Sequence, residues 1–250
     1  SFQLIFSYMI PISLYVTIEF VRFFQRWTFS SDLGMYSREF GFCQPNNSNL
    51  NEELGQIDHV FSDKTGTLTE NKMRFVQISA RGTIFNIDHD KDNIKDTLSS
   101  NHELNQILAC IAICHNVIIT ADGFSSESPD EEALVTTAGE LNAKFVSRVP
   151  DESISIELDG HLSKFQLLNM IDFDSDRKRM SVIVKAPNGQ IIMYTKGADT
   201  IMFNLVSPQE NSEYITQLTN QINGWAEQGL RTLVCGWRVI SEEEWNDYKA

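Results

Sequence analysis

The stretch FSDKTGTLTE, residues 61–70, holds a single aspartate, Asp63, among a lysine and three threonines. The apolar run at 57–61 predicts a short buried strand, and Gly66 predicts a turn after it. Asp63 would then lie at the carboxyl end of a strand, where α/β sheets place their ligands. A carboxylate there can attack phosphorus and form an aspartyl-phosphate, with Mg²⁺ offsetting the charge and the backbone N–H groups of 64–67 cradling an oxygen. A plain surface turn is the alternative interpretation.

A second group of candidate residues lies further along the chain. Ser128 suits a helix N-cap, Pro129 suits the first helical position, and Glu131 completes the spacing of a capping box. Phe173 is either a core aromatic or an exposed ring that could stack on a flat ligand. It precedes three basic residues at 177–179, which are either solvated loop charge or a local site for phosphates.

Two later strings also suit a ligand. In KGAD, Lys196 is followed by Gly197, where the missing side chain lets a ligand come close to the backbone. In GLRTL, Arg231 follows Gly229, which is typical of a helix C-cap.

The elements that must position these residues follow from hydrophobic patterning. We expect a hairpin over 75–87 that turns at Arg81-Gly82, and an apolar helix over 102–117. We also expect antiparallel strands on both sides of a turn at 187–189, and helices over 215–228 and from 242 onward. The predicted fold class is α/β: a domain with an antiparallel sheet, preceded by the start of a second, Rossmann-like domain around Asp63.

Composition limits the classes of function. The chain has 250 residues, 34 acidic and 20 basic side chains, and a net charge of −14, which argues against nucleic acid as the main partner. Four cysteines without a C-x-x-C pair suit a reducing compartment. Cys110 and Cys114, next to His115, could bind a metal, but a buried helical face is the simpler interpretation.

The first residues predict a membrane helix. Residues 2–18 form an apolar run about long enough to cross a bilayer, interrupted by Pro11, which would kink the helix. Arg22 and Arg26 follow the run, so this end and everything after it are expected on the cytoplasmic side. A single helix cannot form a transport path, so a transporter would need further membrane segments.

The string DKTGTLT, residues 63–69, resembles the phosphorylation signature of the P-type ATPases. The resemblance implies that Asp63 is the phosphorylated nucleophile, that Lys64 supports the transferring phosphoryl group, and that Thr65 joins Asp63 in the Mg²⁺ shell. It also implies a haloacid-dehalogenase-type phosphorylation domain. Related phosphatases carry an acid at the position of Thr65, so its absence here suggests a long-lived aspartyl-phosphate.

Two further strings resemble the type IV branch, the phospholipid-transporting lipid flippases. They are PISL at 11–14 and SNLNEELGQ at 48–56. Cation pumps of the superfamily carry an acid just after the proline, where Ile12 stands here and would instead form an apolar gate in the lipid path. Glu19, near the cytoplasmic end, more simply reaches the membrane interface.

The nucleotide half resembles the same branch. There the glutamate of SPDE-x-ALV, Glu131, approaches the adenine amino group, and Phe173 stacks on adenine. The resemblance assigns the remaining ATP contacts to four residues: Ser175, Lys178, Lys196 and Arg231.

The predicted organisation is a membrane helix at 1–26, a stalk and the start of the phosphorylation domain at 27–71, and a nucleotide-binding domain at 72–250. Strings for an actuator domain and for the remaining Mg²⁺ aspartates are missing, so we expect part of a larger protein. The leading prediction is an ATP-driven flippase that moves phospholipid from the outer to the cytoplasmic leaflet with ATP and Mg²⁺, together with an accessory subunit of two membrane spans. The alternatives are a cation pump and a nucleotide-binding module without catalysis.

Overall fold

The computed structural model describes residues 11–47, 50, 53, 55–121, 123–206 and 212–249. By its internal contacts the chain divides into two compact units, Ser1–Leu68 and Thr69–Ala250. The three-part division predicted from sequence stays a prediction.

Among the described residues of the first unit, helix α1 spans Ile12–Ser31 and is followed by a short 3-10 helix, Leu33–Met35. The backbone carbonyl of Pro11 accepts the first bonds of α1, from the amides of Leu14 and Tyr15. Among the described residues, no helix is both long and apolar enough to cross a bilayer. The predicted membrane helix includes residues 1–10, which lie outside the described residues, so that helix and its kink stay predictions.

The strand predicted before Asp63 is wrong for this structure. Residues 57–61 form no strand, and Val60 and Phe61 are largely exposed. The physical reason is that a strand needs a neighbour to take its backbone hydrogen bonds, and no described strand pairs with this segment. The Rossmann-like start of a phosphorylation domain therefore stays a prediction.

Among the described residues of the second unit, the strands are β1 Gln77–Ala80, β2 Thr83–Asn86, β3 Ile118–Thr120, β4 Gly123–Ser125, β5 Ala143–Val149, β6 Ser153–Leu158, β7 His161–Asp174, β8 Arg179–Lys185, β9 Ile191–Gly197 and β10 Val234–Ile240. Six of them form an antiparallel sheet in the order β10-β9-β8-β7-β6-β5. The other four form two small hairpins, β1-β2 and β3-β4, outside this sheet. The helices of this unit are α2 Lys91–Leu98, α3 His102–Ile113, α4 Pro129–Glu140, α5 Asp199–Met202, α6 Ser212–Glu227 and α7 Glu242–Lys249, with a 3-10 turn at Phe203–Leu205.

The core lies between the sheet and α3. This helix is apolar on almost every side and contacts β5, β6, β9, β10 and the first hairpin. Cys110 and Cys114 belong to this core: their thiols donate to the backbone carbonyls of Thr195 and Met180. The predicted buried helical face is therefore confirmed. Side-chain contacts with Cys114 and Cys235, together with the burial of the thiol, raise the pKa of Cys110 well above its usual value.

The locally encoded turns are confirmed. The first hairpin turns at Arg81 and Gly82, which both have positive φ, as a two-residue hairpin turn requires. The strands flanking the turn at 187–189 pair as β8 and β9. Helix α6 ends with Gly229 in the left-handed region, and its amide bonds to the carbonyl of Ala226.

Candidate functional site

Glu131 and Lys196 form an ion pair at one end of the six-stranded sheet. The Lys196 Nζ atom lies 2.7 Å from Glu131 Oε1, and the two side chains are only 8% and 14% exposed. Lys196 is the next-to-last residue of β9, and Glu131 lies in the first turn of α4. Because solvent is largely excluded, the attraction is much less screened than in a surface pair.

The second oxygen of Glu131 faces the segment that follows α3. Its Oε2 accepts a hydrogen bond from the backbone N–H of Asn116 at 2.9 Å and a longer one from Ser126 Oγ at 3.4 Å. The carboxylate is thus held from two sides before any ligand arrives.

The predicted capping box at the start of α4 is corrected by these contacts. Ser128 is the N-cap residue and Pro129 the first helical residue, as predicted. However, the Ser128 side chain makes no capping hydrogen bond, and its amide donates to Ser126 Oγ rather than to Glu131. The physical reason is that Lys196 offers Glu131 a charged partner, which outweighs a neutral backbone amide.

Phe173 stands out from the sheet on a β-bulge. The register between β7 and β8 shifts between the pairs Ile171–Ser181 and Asp174–Arg179, so that Asp172 and Phe173 together face a single residue. A bulge re-aims side chains, and Phe173 is 61% exposed here. The interpretation of Phe173 as a core aromatic is therefore wrong, because most of its side chain is exposed.

The turn after Phe173 carries two of the predicted ATP residues. Ser175 and Lys178 are both exposed, and Lys178 has a φ of +50°. Asp174 organises the turn, because its Oδ1 accepts from the amides of Asp176 and Arg177 at 2.8 and 3.1 Å. These bonds lower the pKa of Asp174.

Gly197 brings this turn against the end of β9. A Cβ atom at Gly197 would lie 2.6 Å from the Lys178 carbonyl oxygen and 2.7 Å from Arg179 Cβ, so no larger residue fits without a shift. The amide of Ala198 donates to the same carbonyl at 3.1 Å. The glycine that sequence analysis assigned to ligand approach is thus needed here for the packing of two strands.

Arg231 reaches the same region through the start of α4. Its Nη1 lies 2.9 Å from Oδ2 of Asp130, the residue before Glu131, and its own side chain remains largely exposed. Contacts at this end of the sheet relate Glu131 to Lys196 directly, to Arg231 through Asp130, and to the residue before Phe173 through Asn116. The backbone of Lys178 packs against the end of β9, and Ser175 lies in the turn between Phe173 and Lys178.

The segment around Asp63 is described within the first unit only. Asp63 Oδ1 accepts from the amide of Lys64 at 2.7 Å, and Leu68 donates to the Lys64 carbonyl at 3.0 Å, which closes a turn at Gly66. Gly66 has a φ of +77°, as the predicted turn requires.

Oxygen atoms suited to Mg²⁺ are present at Asp63 and Thr65, as a carboxylate and as a hydroxyl with its carbonyl. Within the described ranges, no group of three or more His, Cys, Asp or Glu side chains is arranged to hold a metal. The two residues fit Mg²⁺ as part of a coordination shell, which would need further oxygen ligands.

Sequence analysis missed two residues beside the site, Asn116 and Arg148. It considered His115 only as a possible metal ligand and missed its structural role. Arg148 Nη2 donates to the backbone carbonyl of His115 at 2.6 Å, and His115 Nδ1 accepts from the amide of Val117 at 3.1 Å. Burial lowers the pKa of His115 well below its usual value and also lowers that of Arg148. Simple strand alternation would direct Arg148 outward, but a register shift between Phe145 and Ser147 turns it inward.

Comparisons with known proteins agree with this architecture. Residues 103–250 match the family model described as P-type ATPase, cytoplasmic domain N. The chain is 37% identical to phospholipid-transporting ATPase DRS2 of Saccharomyces cerevisiae over 98% of its length, which is 20% of that protein. It is 37% identical to phospholipid-transporting ATPase tat-1 of Caenorhabditis elegans and 35% identical to the probable phospholipid-transporting ATPase IM of Homo sapiens, in each case over 99% of its length.

The chain spans about a fifth to a quarter of the length of these relatives, namely 20%, 23% and 24%. The family match covers more than half of the chain and coincides with the sheet, α3, α4 and the polar cluster. The chain therefore belongs to the P-type ATPases, and its predicted resemblance to the phospholipid-transporting branch is confirmed.

Proposed function

We propose that this chain binds ATP at the cluster around Glu131 and Lys196 and transfers the γ-phosphoryl group to Asp63. The observation that carries the proposal is the solvent-shielded Glu131–Lys196 pair beside an exposed aromatic ring, Phe173. Nucleotide sites combine an apolar face for the base with a few fixed polar groups, and this end of the sheet offers both.

We assign each residue a role that is compatible with its position. The ring of Phe173 stacks on adenine, and the carboxylate of Glu131 accepts from the adenine amino group. Lys196 holds that carboxylate in place through the 2.7 Å ion pair and forms one wall of the pocket. Lys178 and Arg231, both exposed and cationic, lie within reach of the phosphates, and Ser175 supplies a hydroxyl in the same turn.

The transfer step uses a carboxylate oxygen of Asp63 as the nucleophile. It attacks the γ-phosphorus, the bond to the β–γ bridging oxygen breaks, and ADP leaves with that electron pair. Mg²⁺, when bound at Asp63 and Thr65, neutralises phosphoryl charge. Lys64 stabilises the transferring group, and the lack of an acid at Thr65 leaves the aspartyl-phosphate without a nearby proton donor for hydrolysis.

The first experiment tests the aromatic role. In the full-length protein, Phe173→Ala is expected to raise the Kd for ATP about tenfold, since stacking on one base contributes roughly 1–3 kcal/mol. Calorimetric titration with ATP and Mg²⁺ measures this.

Leu162→Ala is the matched control, because Leu162 is a similarly exposed apolar residue near the other end of the same strand, β7. An unchanged Kd in Phe173→Ala would remove the ring from the site. An equal loss in Leu162→Ala would point to general damage to the strand.

For the full-length protein we propose ATP-driven movement of phospholipid from the outer to the cytoplasmic leaflet. It would be an integral membrane protein with its nucleotide and phosphorylation domains in the cytoplasm, paired with an accessory subunit. Support comes from the relatives' names as phospholipid-transporting ATPases and from Ile12, which has no side-chain oxygen for a cation.

A cation pump is the alternative, and turnover discriminates between the two. We expect ATP hydrolysis by the full-length protein in detergent to rise when phospholipid is added to depleted enzyme and to be indifferent to a series of added cations beyond Mg²⁺. Stimulation by a particular cation, without a response to lipid, would contradict the flippase proposal. ATP binding without any hydrolysis would favour the third interpretation, a binding module without catalysis.

A further inference from the structure

We infer that Asn116 is a positioning residue that sets the two adenine-recognition elements, Glu131 and Phe173, at a fixed spacing. The inference rests on the proposed nucleotide function. Asn116 follows α3 and contacts both elements with different parts of one residue: its backbone N–H bonds to Glu131 Oε2 at 2.9 Å, and its side-chain Nδ2 donates to Asp172 Oδ1 at 3.0 Å.

The contact with Asp172 controls the bulge that exposes Phe173. Asp172 and Phe173 are the two bulge residues between the paired residues Ile171 and Asp174. Neither of them is therefore fixed by regular pairing with β8. The side-chain bond from Asn116 anchors one of them, and Arg177 Nη1 donates to the Asp172 carbonyl at a longer 3.4 Å. Without the anchor at Asp172, the direction of the adjacent Phe173 ring is less restricted.

Asn116 can act in this way because hydrogen bonds fix the backbone of the residues on both sides of it, His115 and Val117. Arg148 bonds to the carbonyl of His115 at 2.6 Å, and the buried imidazole of His115 accepts from the amide of Val117. The residue between these two anchors is therefore fixed although its side chain is exposed. The rigid core of the domain is connected through Asn116 to the exposed ring.

The chemistry of the side chain matters as well as its position. A neutral amide donates to the Asp172 carboxylate, whereas a carboxylate at 116 would place two like charges about 3 Å apart. Asn116→Ala removes the bond to Asp172 but keeps the backbone N–H that serves Glu131. The substitution therefore tests the contact with Asp172, next to Phe173, separately from the contact with Glu131.

The test compares ATP with inorganic tripolyphosphate on the full-length protein, using variants Asn116→Ala, Asp172→Ala and the double variant. The measured quantity is the ratio of the two Kd values, ATP over tripolyphosphate, because the ratio cancels the effect of the Asp172 charge on phosphates. We expect Asn116→Ala to raise this ratio about fivefold, the size of one hydrogen bond, while the Kd for tripolyphosphate stays within about twofold.

The double variant distinguishes positioning from general stability. If Asn116 acts through Asp172, the double variant raises the ratio no more than either single variant does. Asn169→Ala is the matched control, because its Nδ2 also donates a side-chain bond, at 2.8 Å to the Tyr248 hydroxyl. Asn169 is a half-buried residue of the same strand, β7, and lies beside a separate register shift, between Leu167 and Asn169, rather than at the bulge of Phe173. This control variant is expected to leave the ratio unchanged.

Three outcomes would overturn the inference. These are an unchanged ratio in Asn116→Ala, an equal loss of ATP and tripolyphosphate binding, or additive effects in the double variant. If Phe173→Ala raises the Kd for ATP while Asn116→Ala does not, only the inference fails. If neither variant weakens ATP binding, the proposed nucleotide site fails with it.

Discussion

Asp63→Asn is expected to abolish phosphoenzyme formation in the full-length protein. The amide has no anionic oxygen to attack the γ-phosphorus, so the covalent intermediate cannot form. The turn itself should survive, because the amide oxygen of asparagine can still accept the bond that Asp63 Oδ1 receives from the Lys64 amide. The loss is therefore one of chemistry rather than of folding.

The measurement is acid-stable incorporation of label from γ-labelled ATP in the presence of Mg²⁺. Asp58→Asn is the control, since Asp58 is another exposed carboxylate of the same segment, five residues earlier. We expect normal labelling in Asp58→Asn and background labelling in Asp63→Asn. Undiminished labelling of Asp63→Asn would assign the nucleophile to another residue.

Lys196→Ala is expected to lower both the free energy of unfolding and the affinity for ATP. The substitution leaves Glu131 with little solvent and without its ion-pair partner, and removal of one partner of a buried pair costs about 3–5 kcal/mol. Denaturant unfolding of the full-length protein and ATP titration measure the two effects.

The matched control is Lys185→Ala, which breaks an ion pair of nearly the same length. Lys185 Nζ lies 2.8 Å from Glu242 Oε1, but these side chains are 36% and 62% exposed. Solvent screens such a pair, so we expect a loss below about 1 kcal/mol. Equal losses of unfolding free energy in the two lysine variants would show that the Glu131–Lys196 pair stabilises the fold no more than an exposed pair does.

A second variant separates stability from binding. Glu131→Gln combined with Lys196→Met removes both charges, while the glutamine oxygen can still accept from the Asn116 amide. Replacing both members of a buried pair is often nearly neutral, so the double variant should regain stability. It should still bind ATP weakly, because the anionic partner of the adenine amino group is gone. Recovery of full affinity would contradict the role of Glu131.

Several elements were predictable because short-range chemistry encodes them. The Arg81-Gly82 turn, the turn at 187–189 and the end of α6 at Gly229 depend on residues within one turn of each other. The apolar run of α3 predicts burial directly, because a helix that is apolar on almost every side must lie in a core. The strand predicted at 57–61 does not form in the structure, because a strand needs pairing partners that the local sequence does not supply.

The candidate site shows where local reasoning stops. Sequence analysis gave Glu131 two roles, in a capping box and beside adenine, and the fold replaces the capping box with an ion pair to Lys196, 65 residues away. Sequence analysis allowed Phe173 to be either a core residue or an exposed ring in a cleft. In the structure a β-bulge exposes it. Asn116 carried no recognisable signal, because its importance comes entirely from two contacts with residues distant in the chain.

The sequence by itself determined the family, the candidate nucleophile Asp63 and the identities of the six proposed ATP residues, because these are carried by residue type and order along the chain. Only the tertiary structure decided how those residues meet. Their ion pairs, the bulge at Phe173 and the bridge through Asn116 depend on strand register and on contacts between distant segments. Side-chain periodicity in a strand is two, so a one-residue shift of register changes which face a residue occupies, and that shift is set by packing of the whole sheet.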